Sequence, residues 1–120
     1  MLHALLPNMP KGEKLNGMPA KFVDQGIPML VNEVMALGAQ KPRLTVHICG
    51  GAHMLNSPGF KQALNIGERN VVAAKEGLQA AGLRIKAEAV GGKSGRTVKL
   101  YVASGLITVK TLGQGETILS

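Results

Sequence analysis

Residues 65–90, NIGERNVVAAKEGLQAAGLRIKAEAV, indicate the fold class because a helix, a helix stop and a strand follow one another without interruption. Asn65 and Glu68 have the spacing of a capping box, which predicts a helix that begins at Asn65. Gly82 is placed to end it. Residues 83–89 then alternate apolar with charged side chains, the pattern of a strand with one solvated face. The apolar face of the predicted helix consists of Val71, Ala74, Leu78 and Ala81.

The same patterns predict the elements on either side. An apolar strand over residues 1–6, closed by Pro7, precedes a loop over residues 8–20. A helix is predicted to begin near Pro28 and to end at Gly38, followed by a strand over residues 44–49 and a loop through residues 57–59. Residues 98–102 and 106–110 form a predicted hairpin across a turn at Gly105. The order β-α-β-α-β-β-β predicts the α/β (α+β) class, with a mixed sheet and two main helices.

Length and composition exclude several classes of protein. The chain has 120 residues and is 45% hydrophobic, which is compatible with one folded domain over residues 1–120 and excludes general disorder. No apolar run approaches the roughly 18 residues of a membrane span, so membrane insertion is not expected. The single cysteine excludes an intrachain disulfide and fits a reducing compartment, here the cytoplasm.

The net charge of +7 suits an acidic partner, either nucleic acid or protein. The basic residues are scattered singly, and the three aromatic residues offer little surface for stacking bases. Nucleic acid is therefore not expected as a partner. Gly92-Lys93-Ser94 imitates the end of a phosphate loop, but the required earlier glycine is replaced by Ala87, and a glycine turn between strands is the better interpretation.

Cys49 and two nearby histidines allow three interpretations. His47, Cys49 and His53 are possible metal ligands, but their spacing matches no compact metal-binding motif, and no metal or other cofactor is expected. Cys49 precedes two glycines and could act as a nucleophile, with His3 or His53 as its base. A packed strand cysteine is the more common outcome. For His3 as well, composition alone favours a core histidine.

Read together, several short segments resemble the CheD family of chemoreceptor glutamine deamidases. They occur in the family's order, with nearly its spacing, over essentially the whole chain. The most specific of them are the I-G-x-R-N segment and the G-G-x-x-G-R segment that follows it. The matching stretches are residues 2–7 (LHALLP), 22–24 (FVD), 27–30 (IPML), 50–54 (GGAHM), 65–70 (NIGERN), 91–92 (GG) and 95–96 (GR).

The resemblance implies an α/β sandwich related to the catalytic domain of cytotoxic necrotizing factor toxins. It also implies conversion of glutamines on methyl-accepting chemotaxis receptors to glutamates by a Cys–His pair, and binding of the phosphatase CheC. His3 matches the catalytic histidine of the family's G-G-x-x-H-x-x-L-P pattern and is therefore the expected general base. Oxyanion binding is expected near Gly50 and Gly51. Asn65 and Arg69 are expected chiefly to cap and brace the second helix, with substrate binding as their alternative role.

One departure from the family pattern bears on activity. The family's nucleophilic cysteine belongs to an L-G-S-C-like segment upstream of the histidine, and these 120 residues contain no such segment. Cys49 is not its equivalent, since it precedes Gly50-Gly51, where the family usually has an apolar residue. We therefore expect a CheD-like domain without the N-terminal strands that bear the nucleophile, inactive as written. The alternative is a non-catalytic module that docks to CheC or to the receptor.

Overall fold

A computed structural model describes residues 1–10, 18–53 and 65–120 of the chain. Its elements are two α-helices, two short 3-10 helices and five strands. The predicted loop through residues 57–59 lies outside the described residues, as do residues 11–17 of the predicted loop over 8–20.

Two α-helices supply the buried centre of the core. Helix α1 spans Val23–Ala36, after a 3-10 helix at Pro19–Lys21, and helix α2 spans Ile66–Ala80. Each ends as predicted, at a glycine with positive φ: 105° at Gly38 and 75° at Gly82. In both cases the N–H groups of the glycine and of the next residue bond back to carbonyls of the last turn, which is the Schellman arrangement.

Helix α1 begins five residues before the predicted start, so Pro28 lies inside it rather than in its first turn. Pro28 has no N–H to donate to the carbonyl of Asp24, and an interior proline usually costs a helix about 3 kcal/mol. The earlier turn forms because Val23 and Ile27 are buried there, only 6% exposed each. Tertiary packing therefore outweighs the local effect of the proline.

Helix α2 begins where the sequence predicts, with Asn65 as its N-cap residue. The predicted capping box does not form, however, because the Asn65 side chain accepts no hydrogen bond from the helix. Its amide nitrogen instead donates to the Glu68 carboxylate. Asn65 has φ −80° and ψ 43°, away from the extended backbone that directs a capping oxygen at the first N–H groups.

The described strands form two sheets, one parallel and one antiparallel. Strands β1 (Val46–Gly50) and β2 (Ile85–Val90) pair in parallel. Strands β3 (Arg96–Tyr101), β4 (Leu106–Thr111) and β5 (Glu116–Ile118) pair antiparallel in the order β3-β4-β5. Strand β5 was not predicted, and a second 3-10 helix at Lys41–Arg43 precedes β1. The mixed α/β class with two main helices is confirmed.

The predicted strand at residues 1–6 is wrong. Only an isolated bridge between Leu6 and Phe22 links this segment to another strand-like residue in the described part of the chain. Exposure still alternates strictly along residues 1–6, as in an extended chain. Alternation reports which side chains face the protein, but a strand also needs a neighbouring strand.

The core lies between α1, α2 and the β1–β2 pair. Val23, Ile27 and Leu78 form its buried centre. The chain's first residues also contribute, because Leu2 and Ala4 pack against the same centre. This packing places the segment that contains His3 beside the two helices.

Candidate active site

His3 lies on the solvent side of an extended segment. Leu2, Ala4 and Leu6 are partly buried, whereas His3 and Leu5 are exposed. The inward side is packed closely, since a Cβ placed on Gly26 would lie 2.8 Å from a Leu2 methyl group. The structure therefore does not place His3 in the core, which composition alone had favoured. An exposed imidazole can exchange protons with solvent or with a bound substrate.

The backbone of this segment bonds to the start of α1. The N–H groups of Leu5 and Leu6 both donate to the Lys21 carbonyl, at 2.9 and 3.0 Å. In return, the Val23 N–H donates to the Leu6 carbonyl at 2.8 Å. These bonds connect the segment to a buried part of the protein although it belongs to no sheet.

Two polar side chains add further contacts to the segment. The Asp24 carboxylate accepts the Met9 N–H, with oxygens at 3.1 and 3.3 Å from the nitrogen. On the other side, the Asn70 amide Nδ2 donates to the Leu5 carbonyl at 3.0 Å. The segment thus has side-chain contacts from both helices, one on each side of Pro7.

Gly50 and Gly51 form the end of β1 and the start of a turn. Both have positive φ, 111° and 68°, a conformation that side chains rarely adopt. Gly51 also meets helix α2 at Gly67, where a Cβ would lie 2.6 Å from the Ala52 carbonyl oxygen and closer still to that of Gly51. Gly51 and Gly67 therefore allow direct backbone contact between the turn and the first turn of the helix.

This turn is hydrogen-bonded both to Arg96 and to the glycine pair between β2 and β3. The Gly50 carbonyl accepts the Gly91 N–H at 2.9 Å and the Arg96 Nη1 at 3.3 Å. Across the same pair, the His53 N–H donates to the Gly92 carbonyl at 2.8 Å. Gly91 and Gly92 both have positive φ, which fits the predicted glycine turn rather than a phosphate loop.

Cys49 is a half-buried residue of β1. Burial raises the pKa of its thiol, and the opposing effects of the Arg96 charge and a hydrogen bond with the Ala89 backbone are smaller. A raised pKa leaves less thiolate near neutral pH, which is unfavourable for a nucleophile. In residues 1–10, 18–53 and 65–120, no three His, Cys, Asp or Glu side chains are grouped as a metal site requires.

Four of the five predicted site residues gather around the first turns of α2. Asn65 is the N-cap residue of this helix, and Arg69 is exposed one turn later. Gly51, which follows Gly50, packs on Gly67. His3 is connected to the same helix indirectly, through Leu5 and Asn70. Arg69 also lines a shallow groove together with Asn8, so the far end of the His3 segment reaches the same helix face.

Three residues of this arrangement were not predicted: Gly67, Asn70 and Arg96. All three belong to the segments that carry the family resemblance, I-G-x-R-N and G-G-x-x-G-R. Their position in these two segments could have identified them. The helical and strand periodicities could not, because they report only where apolar side chains recur.

The protein is a mixed α/β fold in which the segment with the exposed His3 is hydrogen-bonded to α2, and glycines line the start of that helix. None of the described helices has both the length and the apolar character needed to cross a membrane. Comparison with known proteins identifies the family. The profile of CheD, described as CheD chemotactic sensory transduction, matches residues 5–111.

Individual relatives agree with the profile. The probable chemoreceptor glutamine deamidase CheD of Desulforamulus reducens is 42% identical over 113 residues, covering 94% of this chain and 68% of the relative. The protein of the same name from Pyrococcus horikoshii is 42% identical over 119 residues, covering 98% of this chain and 72% of the relative. The chain belongs to the CheD family.

Proposed function

We propose that this protein is the deamidase of a chemotaxis system, converting glutamine side chains of a methyl-accepting chemoreceptor to glutamate in the cytoplasm. The observation that carries the proposal is the match of nearly the whole chain to relatives named as chemoreceptor glutamine deamidases. The exposed position of His3 supports it, because a base must reach the groups between which it moves protons.

In the proposed reaction, His3 takes the proton of a cysteine thiol, and the thiolate attacks the carbon of the glutamine carboxamide. The tetrahedral intermediate collapses with cleavage of the C–N bond, and the imidazolium of His3 protonates the departing ammonia. Water then attacks the thioester, with His3 again as base, releasing the glutamate carboxylate and restoring the thiol. The net change is glutamine plus water to glutamate plus ammonia.

Cys49 is not the proposed nucleophile. Burial raises its pKa, and it occupies β1 rather than a segment of the L-G-S-C type. Since the 120 residues contain no segment of this type, we expect them to be inactive alone.

Around the reacting groups, we assign supporting roles to the predicted binding residues. Backbone N–H groups near Gly50 and Gly51 are the proposed donors to the oxyanion, because glycine turns leave such groups accessible. Asn65 and Arg69 are exposed on the first turns of α2 and are proposed to contact the receptor. The net charge of +7 favours an acidic receptor surface, so binding should weaken as salt is added.

Mass spectrometry of receptor peptides tests the proposal. A receptor fragment is incubated with the 120-residue chain and, separately, with a form that begins further upstream in the reading frame. Deamidation adds about 1 Da per glutamine by replacing NH₂ with OH, the result of the proposed nucleophilic catalysis. We expect this gain only with the extended form, and a gain with the 120-residue chain would return Cys49 to consideration as nucleophile.

A second candidate function is a non-catalytic module that docks to the receptor or to a CheC-type phosphatase. It differs from the first in needing no nucleophile segment, and the 120 residues contain none. Under this alternative, both forms would bind receptor or phosphatase and neither would add mass to a receptor peptide. Binding measured beside the mass assay therefore separates the two functions.

A further inference from the structure

Asn70 joins helix α2 to the segment that contains His3. Its Nδ2 donates to the Leu5 carbonyl at 3.0 Å, across 65 positions of the chain. Because a backbone carbonyl only accepts, the side chain must turn its NH₂ group toward Leu5. The Asn70 Oδ1 is buried and has no hydrogen-bond partner among the described residues.

The outward side of this segment has little else to hold it. Leu5 is 64% exposed and His3 is also exposed, so burial fixes only the inward residues, such as Leu2 and Ala4. The bonds to Lys21 connect the segment to α1. Asn70 supplies the connection to α2, with its acceptor two residues after His3.

Helix α2 also contacts the glycine turn. Gly67, three residues before Asn70, lies directly against the backbone of Gly51 and Ala52. One rigid helix therefore contacts both the segment with the proposed base and the turn with the proposed oxyanion donors. The separation of these two groups is set by contacts made within one turn of α2.

We infer that Asn70 is a positioning residue for His3, holding the histidine segment at a fixed distance from the Gly50–Gly51 turn. The inference rests on the proposed deamidase function for its catalytic consequence. Its structural content, the connection between α2 and the segment, is testable without activity.

Asn70→Asp is the most direct perturbation. The substitution keeps the shape of the side chain but replaces the donor by a carboxylate oxygen, so two acceptors face each other at Leu5. Asn32→Asp is the matched control, since Asn32 is exposed on α1 and undergoes the same change of atoms and charge. Asn70→Ala is the second variant, which removes the donor without adding charge.

The first readout is hydrogen exchange in the 120-residue chain. We expect faster exchange at the Leu5 and Leu6 N–H groups in both Asn70 variants, with the protection of α2 and the melting temperature little changed. Asn32→Asp should exchange like the wild type. Unchanged protection at Leu5 and Leu6 in both Asn70 variants would overturn the inference.

The second readout is steady-state kinetics of the deamidating form. A displaced base lowers the rate of the chemical step, so we expect kcat to fall by about 10- to 100-fold while KM stays within about twofold. A rise in KM with unchanged kcat would instead make Asn70 a substrate-binding residue and overturn the inference. If the unmodified extended form does not deamidate, the proposed function fails, whereas the exchange result still decides whether Asn70 holds the segment.

Discussion

Gly67→Ala tests whether the backbone of α2 lies directly against the backbone of Gly51 and Ala52. In a solvent-exposed helix interior, this substitution would stabilise the helix by about 0.8–1 kcal/mol. Here the added Cβ would lie 2.6 Å from the Ala52 carbonyl oxygen and closer still to that of Gly51. Backbone atoms cannot rotate away, and overpacking of this kind typically costs about 1–3 kcal/mol. We therefore expect the free energy of unfolding to fall by up to about 2 kcal/mol.

Gly77→Ala is the matched control, because Gly77 belongs to the same helix. Its Cβ would lie 3.1 Å from the Ile27 Cδ1, the end of a flexible side chain that can move by a few tenths of an ångström. The helix propensity gain should then dominate, leaving this variant neutral or stabilised by up to about 1 kcal/mol.

Thermal unfolding followed by circular dichroism measures the difference. For a domain of this size, 1 kcal/mol corresponds to roughly 4 °C in melting temperature, so Gly67→Ala should melt several degrees below Gly77→Ala. A Gly67→Ala variant as stable as the control would refute the close approach of the turn to α2.

Three other substitutions test the packing and the charges. Leu78→Ala should lower the free energy of unfolding by about 2–5 kcal/mol, because Leu78 belongs to the buried centre of the core. Urea denaturation measures this change, and a decrease below about 1 kcal/mol would contradict the buried position of Leu78. Arg96→Met should raise the pKa of Cys49 further, because the substitution removes a positive charge that favours the thiolate. The pH dependence of Cys49 alkylation measures this pKa, and a lower value in the variant would contradict the effect of the Arg96 charge. A hydrogen bond from Thr108 lowers the pKa of Glu116, and its effect is larger than that of the Lys99 charge. Thr108→Val should therefore raise the pKa of Glu116, and an unchanged titration of this carboxyl group by NMR would count against the hydrogen bond. Because the folded-state pKa is the lower one, the stability that Glu116 contributes is complete above its unfolded-state pKa and is lost as the pH falls through the folded-state value.

The helices were largely predictable because their signals are local. Gly38 and Gly82 end α1 and α2 as their positions suggest, since a left-handed cap favours glycine whatever surrounds it. The start of α1 was not predictable in this way, because burial of Val23 and Ile27 decides it against the preference of Pro28 for a first turn.

The strands and the site depended more on distant parts of the chain. Residues 1–6 alternate like a strand, yet among the described residues only Leu6 finds a strand-like partner. Strand β5 has three residues, too few for alternation to be recognised. Gly51 was predicted as a binding residue, but its contact with Gly67 was not predicted. This contact and the hydrogen bond from Asn70 to Leu5 both join segments that are far apart in sequence. No local periodicity reports such contacts.

We propose that His3 is the base of a glutamine deamidase whose nucleophile is not Cys49. The most direct test incubates a receptor fragment with the upstream-extended form and with its His3→Gln and Cys49→Ser variants, and follows the mass of receptor peptides. The account predicts the gain of about 1 Da with the unmodified form and with Cys49→Ser, and its loss in His3→Gln, because general base catalysis needs the imidazole. Full activity in His3→Gln, or loss of activity in a folded Cys49→Ser, would contradict it.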